Sequence, residues 1–270
     1  PYDVCSSEEA RAKAAGSDYN FYHVTKPEID LPPATDLYDD AVYAKGAENF
    51  RAFIEKGYLV KEGKTAFYLY TLVMNGRSQT GLVCTVSVDD YLEGRVKKHE
   101  FTREDKEKDR IRHIDELGAQ TGLVFLFFKS DGSKKGLWTR ALAAAPEYDF
   151  TAADGIRHTF RCITDPELIH DIKSAFADTD LYIADGHHRA ASAAKNALAR
   201  REKPGYSQGA DSDYFLSVVF PHDELKIMPY NRVLVDLNGM SQDGFMQKLG
   251  EKFAITENAP DIPAKRGTFS

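Results

Sequence analysis

The sequence predicts an α/β fold of α+β type, built on a mixed sheet. Runs of β-branched and aromatic residues alternate with stretches whose apolar residues recur at helical spacing, and one pair of strands is joined by a tight hairpin turn. The chain has 270 residues. That length can bury a substantial core, either as one elaborated domain spanning 1–270 or as an N-terminal helical part, 1–62, followed by a core, 63–270.

From the N-terminus, Ser6 with Glu9 forms a capping box that opens a short helix through Ala15. Residues 26–37 carry Pro27, Pro32 and Pro33 and read as a loop. Tyr43, Ala47, Phe50 and Ile54 then repeat at helical spacing until Gly57 stops the helix. Ala66 to Val73 and Thr80 to Val88 read as antiparallel strands, with Asn75-Gly76 as the hairpin signal. The dense charged stretch from Arg95 to Glu116 contains an amphipathic helix, Arg103 to Leu117, with Ile111, Ile114 and Leu117 on its apolar side. A buried strand follows from Leu123 to Phe128. Next come a helix from Trp138 to Ala145, a strand from Ile156 to Ile163, and a helix from Pro166 to Ala177 capped by Asp165. Leu181 to Ala184 is a strand leading into an alanine-rich helix; Lys203 to Ser212 is a polar loop and Tyr214 to Phe220 a further strand. The remainder reads as short strands with a helix near Ser241 to Leu249.

Composition narrows the function classes. Apolar residues make up 42% and charged residues 29%, and no apolar run approaches the roughly 20 residues of a membrane helix. The net charge of −7 argues against broad contact with a nucleic-acid backbone. Cys5, Cys84 and Cys162 are isolated, with no Cys-x-x-Cys pair, so a reducing, cytoplasmic setting is expected. P-loop, dinucleotide-fold and nucleophile-elbow patterns are all missing.

The most informative stretch is Asp185-Gly186-His187-His188-Arg189, set between an apolar strand and a helix. Gly186 lets the chain turn tightly, and the leading N–H groups and positive dipole end of the next helix face whatever sits above His187, His188 and Arg189. A phosphate fits that description. Arg189 could add a bidentate contact, and Asp185, at the carboxyl end of its strand, is placed to meet a metal ion or a hydroxyl group. Ordinary turn chemistry uses the same Asp-Gly step, so that reading stands beside this one. Histidines 99, 187 and 188 do not follow a zinc-ligand spacing, though they offer transition-metal chemistry as an alternative.

A second candidate is Lys97-Lys98-His99-Glu100-Phe101-Thr102, where a loop can present side chains. Glu100 suits a carboxylate that orients and deprotonates a hydroxyl nucleophile; a solvated charged loop explains the composition as well. On the following helix Arg103, Lys106, Arg110 and His113 share one face, which could meet phosphates, although Arg103 with Glu107 also makes an ordinary i,i+4 pair. Gly118 to Gly122 could approach a ligand or simply end the helix.

On these residues the chain resembles known families. Asp185 to Arg189 resembles the signature turn of the ParB/sulfiredoxin superfamily, and the full Asp-Gly-His-His-Arg form is similar to its free serine kinase branch. Pro1 to Val4, Lys98 to Thr102 and Tyr182 to Arg189 together resemble the bacterial domain-of-unknown-function family 1015 over nearly the whole chain. That family is longer at both ends, so the chain is expected to be part of a longer protein. The resemblance implies a ParB/sulfiredoxin-like core with N-terminal and inserted elaborations, a much longer insertion separating Glu100 from Asp185 than in the kinases. Lys97, His99 and Glu100 match the kinases' Lys-x-His-Glu segment, whose Glu is implicated in catalysis.

The expected function is a nucleotide-dependent kinase acting on a small hydroxyl substrate, free L-serine first, with ADP or ATP as donor and Mg²⁺ as cofactor. Glu100, Asp185 and His188 are the expected catalytic residues. Gly186, His187, His188, Arg189, Arg110 and His113 are expected to bind the nucleotide, His99 and Thr102 the substrate, and Asp185 the metal. A ParB-like nucleotide sensor without a catalytic base is the competing reading, and a hydrolase using the same site a third. Neither a membrane nor nucleic acid is an expected partner, and oligomeric state is open.

Overall fold

Along the strand Val124–Phe128 fully buried and half-buried apolar side chains alternate, and the fully buried ones lie on one sheet face. The computed structural model describes residues 4–228 and 233–256. Pro1–Glu224 form one compact unit and Leu225–Ser270 a second.

In the first unit the helices are α1 (Ser7–Ala14), α2 (Tyr22–Thr25), α3 (Asp40–Glu55), α4 (Val88–Leu92), α5 (Glu104–Leu117), α6 (Lys135–Leu142), α7 (Pro166–Phe176) and α8 (His187–Arg201). The strands are β1 (Phe67–Met74), β2 (Arg77–Ser87), β3 (Val96–Lys97), β4 (Val124–Phe128), β5 (Tyr148–Thr151), β6 (Arg157–Ile163), β7 (Leu181–Asp185) and β8 (Tyr214–Pro221). They make one eight-stranded sheet in the order β3-β7-β4-β8-β2-β1-β6-β5. The β3/β7 and β4/β8 pairs are parallel and the remainder antiparallel, so the sheet is mixed as expected.

Leu69, Leu82, Val219, Leu126 and Ile183 lie side by side across β1, β2, β8, β4 and β7. All five are buried, and each such side chain contributes about 1.5–3 kcal/mol by leaving water. Trp138 of α6, Leu168 and Ile172 of α7 and the alanines of α8 belong to the same core. The run Ala190, Ala191, Ala193, Ala194 and Ala197 is buried, and small side chains let α8 approach both the sheet and α5. The polar Ser192 and Asn196 turn towards α5, donating to the Glu107 carbonyl (3.3 Å) and the Asp115 carboxylate (2.7 Å).

Local signals held where they were strong. The Ser6–Glu9 capping box is formed in both directions. Asn75 and Gly76 take positive φ in the β1–β2 hairpin, as a primed two-residue turn requires. The structure differs from the sequence reading at several points. The helix expected from Trp138 to Ala145 runs from Lys135 to Leu142, its start set by packing rather than by a capping side chain. Arg103 precedes α5 in extended backbone and pairs with Asp105 instead of Glu107. β3 is two residues long and exists only through its pairing with β7, while β5 is an edge strand exposed at every position. In the second unit α9 (Gln242–Gly250) is capped by Ser241, but none of the expected short strands is present among the described residues; Val233, Leu234 and Val235 are exposed. No helix among the described residues is long and apolar enough to cross a membrane.

Leu126 stands in the buried row between Val219 and Ile183 with no exposed surface. Leu126→Ala should lower the unfolding free energy of the chain by about 2–5 kcal/mol in urea titration, through lost burial plus the cavity left behind.

Candidate functional site

The turn from β7 into α8 is shaped by Gly186, which sits at φ 97°, a left-handed conformation that L side chains rarely adopt. A Cβ there would also come within 3.1 Å of the Arg189 guanidinium, which folds back over the glycine. Gly186 supplies no capping side chain to the first turn of α8. The helix dipole gives that end a partial positive charge.

His187 is the first residue of α8 and is buried. Its Nδ1 faces Glu100 Oε2 at 3.3 Å, and its Nε2 accepts a long hydrogen bond, 3.4 Å, from the His99 amide. That assigns the ring proton to Nδ1, towards Glu100. The His99 ring stands edge-on to His187 with centroids 4.4 Å apart. Burial and the neighbouring His99 push the His187 imidazole below its ordinary pKa, against the pull of Glu100 and Asp185. Glu100 and His99 themselves are exposed. The two motifs singled out in the sequence therefore meet.

The loop that carries Glu100 is pinned along its length. Lys97 pairs with Asp180 at 3.1 Å, and the Lys98 ammonium lies 4.2 Å from the centre of the Tyr91 ring. The Arg103 amide donates to His188 Nε2 at 3.1 Å. The Thr102 hydroxyl donates to the Glu107 carboxylate, which also pairs with Lys195 of α8. Burial opposes the charge on Glu107, but the Lys195 ammonium and the Thr102 hydroxyl outweigh it and hold the carboxyl below its usual range. Only Phe101, between Glu100 and Thr102, is fully exposed at the crest.

Several expected roles change with this geometry. His188 spends Nε2 on the Arg103 amide and Thr102 its hydroxyl on Glu107, so both fasten the loop rather than face a substrate. The Arg189 guanidinium donates to Asp185 Oδ2 at 2.5 Å and to the Leu123 carbonyl, which makes it a brace of the turn as well as a wall of the adjoining cleft. Asp185, expected to hold a metal, shares one oxygen with Arg189 and is otherwise 65% exposed.

Arg110 and His113 converge with Arg189 and Gly122 on a small hollow of about 30 Å³. The Arg110 guanidinium holds the Asp109 carboxylate at 2.8 Å, and buried His113 has its Nε2 3.1 Å from the Val24 carbonyl of α2. Burial, with Arg110 adding to it, pushes the His113 imidazole down to about 4, so it is neutral near pH 7. On the helix face read as cationic, His113 packs against α2 while Arg103 and Lys106 stay exposed.

Beside the turn lies a cleft of about 400 Å³ lined by Asn20, Phe21, Tyr22, Thr25, Thr121 and Gly122 together with Leu123 and Arg189. Its volume falls in the range of small-molecule sites. Of these, the N-terminal residues were not visible as site residues in the sequence, because α2 is a single turn without a motif. A larger hollow of about 490 Å³ lies elsewhere, between β2 and α7, and includes Leu82, Ile172 and Phe176 but none of the expected site residues.

A family model described as a protein of unknown function, DUF1015, covers residues 1–270. The chain belongs to the DUF1015 family. Neither a curated protein nor a solved structure matches this DUF1015 chain.

Two outcomes follow for this DUF1015 site. Gly186→Ala should cost about 1–2 kcal/mol in unfolding free energy through backbone strain alone, measured by urea titration. His113 makes stability depend on pH: unfolded, it takes up a proton near its ordinary 6.5, whereas folded it stays neutral down to about 4. Its contribution is complete above 6.5 and is lost as pH falls through that window. The loss is on the order of 3 kcal/mol, and His113→Gln should flatten the fall in urea midpoint across the same pH range.

Proposed function

We propose that the protein is a nucleotide-dependent kinase that phosphorylates a small hydroxyl substrate, with free L-serine giving O-phosphoserine as the first candidate. The observation that carries this reading is the approach of Glu100 to His187, 3.3 Å, at the uncapped start of α8. A carboxylate and an anion-binding helix end, far apart in the chain, share one place.

The division of labour follows from the groups present. The leading amides of α8 hold phosphate oxygens, and Gly186 lets a phosphate come close to the backbone. Arg189, braced by Asp185, lies at the edge of the cleft that would take the rest of the nucleotide or the acceptor. Glu100 accepts the proton of the acceptor hydroxyl as its oxygen attacks the terminal phosphorus, and the bond from that phosphorus to the bridging oxygen breaks, releasing the shortened nucleotide. His187 Nδ1 stands beside the Glu100 carboxylate at 3.3 Å. Asp185, whose carboxylate is 65% exposed, would be the residue to hold Mg²⁺, and the ion would supply neutralisation of phosphate charge. The resemblance of Asp185 to Arg189 and of Lys97 to Glu100 to the free serine kinases supports the same assignment. The net charge of −7 disfavours a nucleic-acid partner, and the free cysteines suit a reducing, cytoplasmic setting.

The test is a screen of nucleoside di- and triphosphates against small hydroxy amino acids, read by phosphorus NMR. Wild-type protein should give a phosphomonoester signal with serine, and Glu100→Gln should reduce the rate by about 10²–10⁴-fold while nucleotide affinity is retained. Nucleotide binding without product under any donor would replace the kinase reading with that of a nucleotide sensor. An unchanged rate in Glu100→Gln would remove Glu100 from the chemistry.

A further inference from the structure

We propose that His99, Glu100 and His187 form a binding site for one divalent transition-metal ion of the Zn²⁺ or Co²⁺ type. One ligand atom from each residue lies within 4.8 Å of the others. This inference shares Glu100 with the kinase reading but does not rest on it.

The distances are near what an ion demands. Nitrogen and oxygen ligands about 2.0–2.2 Å from a tetrahedral centre stand about 3.4 Å apart. His187 Nδ1 and Glu100 Oε2 are already at 3.3 Å, and His99 Nε2 is 4.0 Å from Glu100 Oε1. These two distances involve different oxygens of Glu100, and the three ligand atoms lie within 4.8 Å of one another. Closing the set to about 3.4 Å therefore requires a movement of roughly 1–1.5 Å by the exposed His99 and Glu100 side chains, which side-chain torsions supply without disturbing the backbone. The donor set selects the ion: two imidazoles with one carboxylate suit Zn²⁺, Co²⁺, Mn²⁺ or Fe²⁺, whereas Mg²⁺ and Ca²⁺ prefer oxygen throughout.

The backbone that carries the three residues is also held in place before any ion arrives. His187 is fixed by burial at the head of α8, and the 97–103 loop is fastened at Lys97, Lys98, Thr102 and Arg103. The exposed sides of His99 and Glu100, 59% and 61%, leave room for water to complete the coordination. Two features work against the ion. The positive end of the α8 dipole repels it, which the carboxylates of Glu100 and Asp185 offset. Ligation through His187 Nδ1 moves the ring proton to Nε2 and gives up the long contact with the His99 amide.

A bound ion engages the Glu100 carboxylate, so metal binding is measured in the absence of nucleotide and acceptor, separately from any phosphotransfer. Purified wild-type protein, His99→Ala and Glu100→Gln are titrated with Zn²⁺ by calorimetry and with Co²⁺ by visible absorption, in excess Mg²⁺. Both substituted residues are exposed, and circular dichroism checks that the variants fold. Wild-type protein should bind one ion per chain with the d–d bands of a low-symmetry site. Each variant should weaken binding by more than the roughly 10–100-fold seen when a ligand's outer-shell partner is lost. Absence of stoichiometric binding, displacement by Mg²⁺, or equal affinity in wild type and both variants would overturn the site.

Discussion

The arrangement around α8 depends on one buried imidazole. His187 starts the helix, and because it is buried beneath the 97–103 loop it brings the Glu100 carboxylate and the His99 ring to the same end of α8. A glycine at φ 97° makes that placement sterically possible, since the chain must leave β7 and enter the helix within a single residue. Backbone conformation, helix polarity and side-chain chemistry therefore converge on Gly186 and His187.

The surrounding packing keeps this arrangement rigid. Alanines on α8 let the helix seat closely on the sheet and on α5, and the Glu107 carboxylate ties three pieces together through Thr102, Lys195 and its own helix. A buried carboxylate is costly unless it is paired and hydrogen-bonded, and Glu107 has both kinds of partner. His188 adds a fourth fastening through the Arg103 amide. Residues beside the candidate chemistry thus spend their polar groups on holding the loop, while Glu100, His99 and Asp185 stay exposed at the turn.

Much of the fold was legible because its signals are local. The Ser6 capping box, the Asn75-Gly76 turn, Pro166 behind Asp165 and the strand running into Gly186 each encode their own geometry. The short elements were not, since β3 and β5 are strands only by virtue of a neighbour. The site divides in the same way. Asp185 to Arg189 could be read from one turn, and the meeting of Glu100 with His187 was an expectation from resemblance that no spacing encodes. Arg110 and His113 misled because charge on a helix face does not say which side another helix covers; His113 faces the Val24 carbonyl inside the protein. Glu107 was masked as an i,i+4 partner for Arg103, whereas its actual partner is Lys195 on another helix. Phe21, Tyr22 and Thr25 reach the cleft only through tertiary packing.

The central claim is that polyphosphate is captured by the backbone at the head of α8. The most direct measurement is an amide-resolved NMR titration of the labelled protein with Mg²⁺-ADP and Mg²⁺-ATP. The account predicts that the amide signals of His187, His188 and Arg189 move first and furthest, with Gly186 and Glu100 following. Saturable shifts confined to another surface, or no shift at these amides at saturating nucleotide, would contradict it.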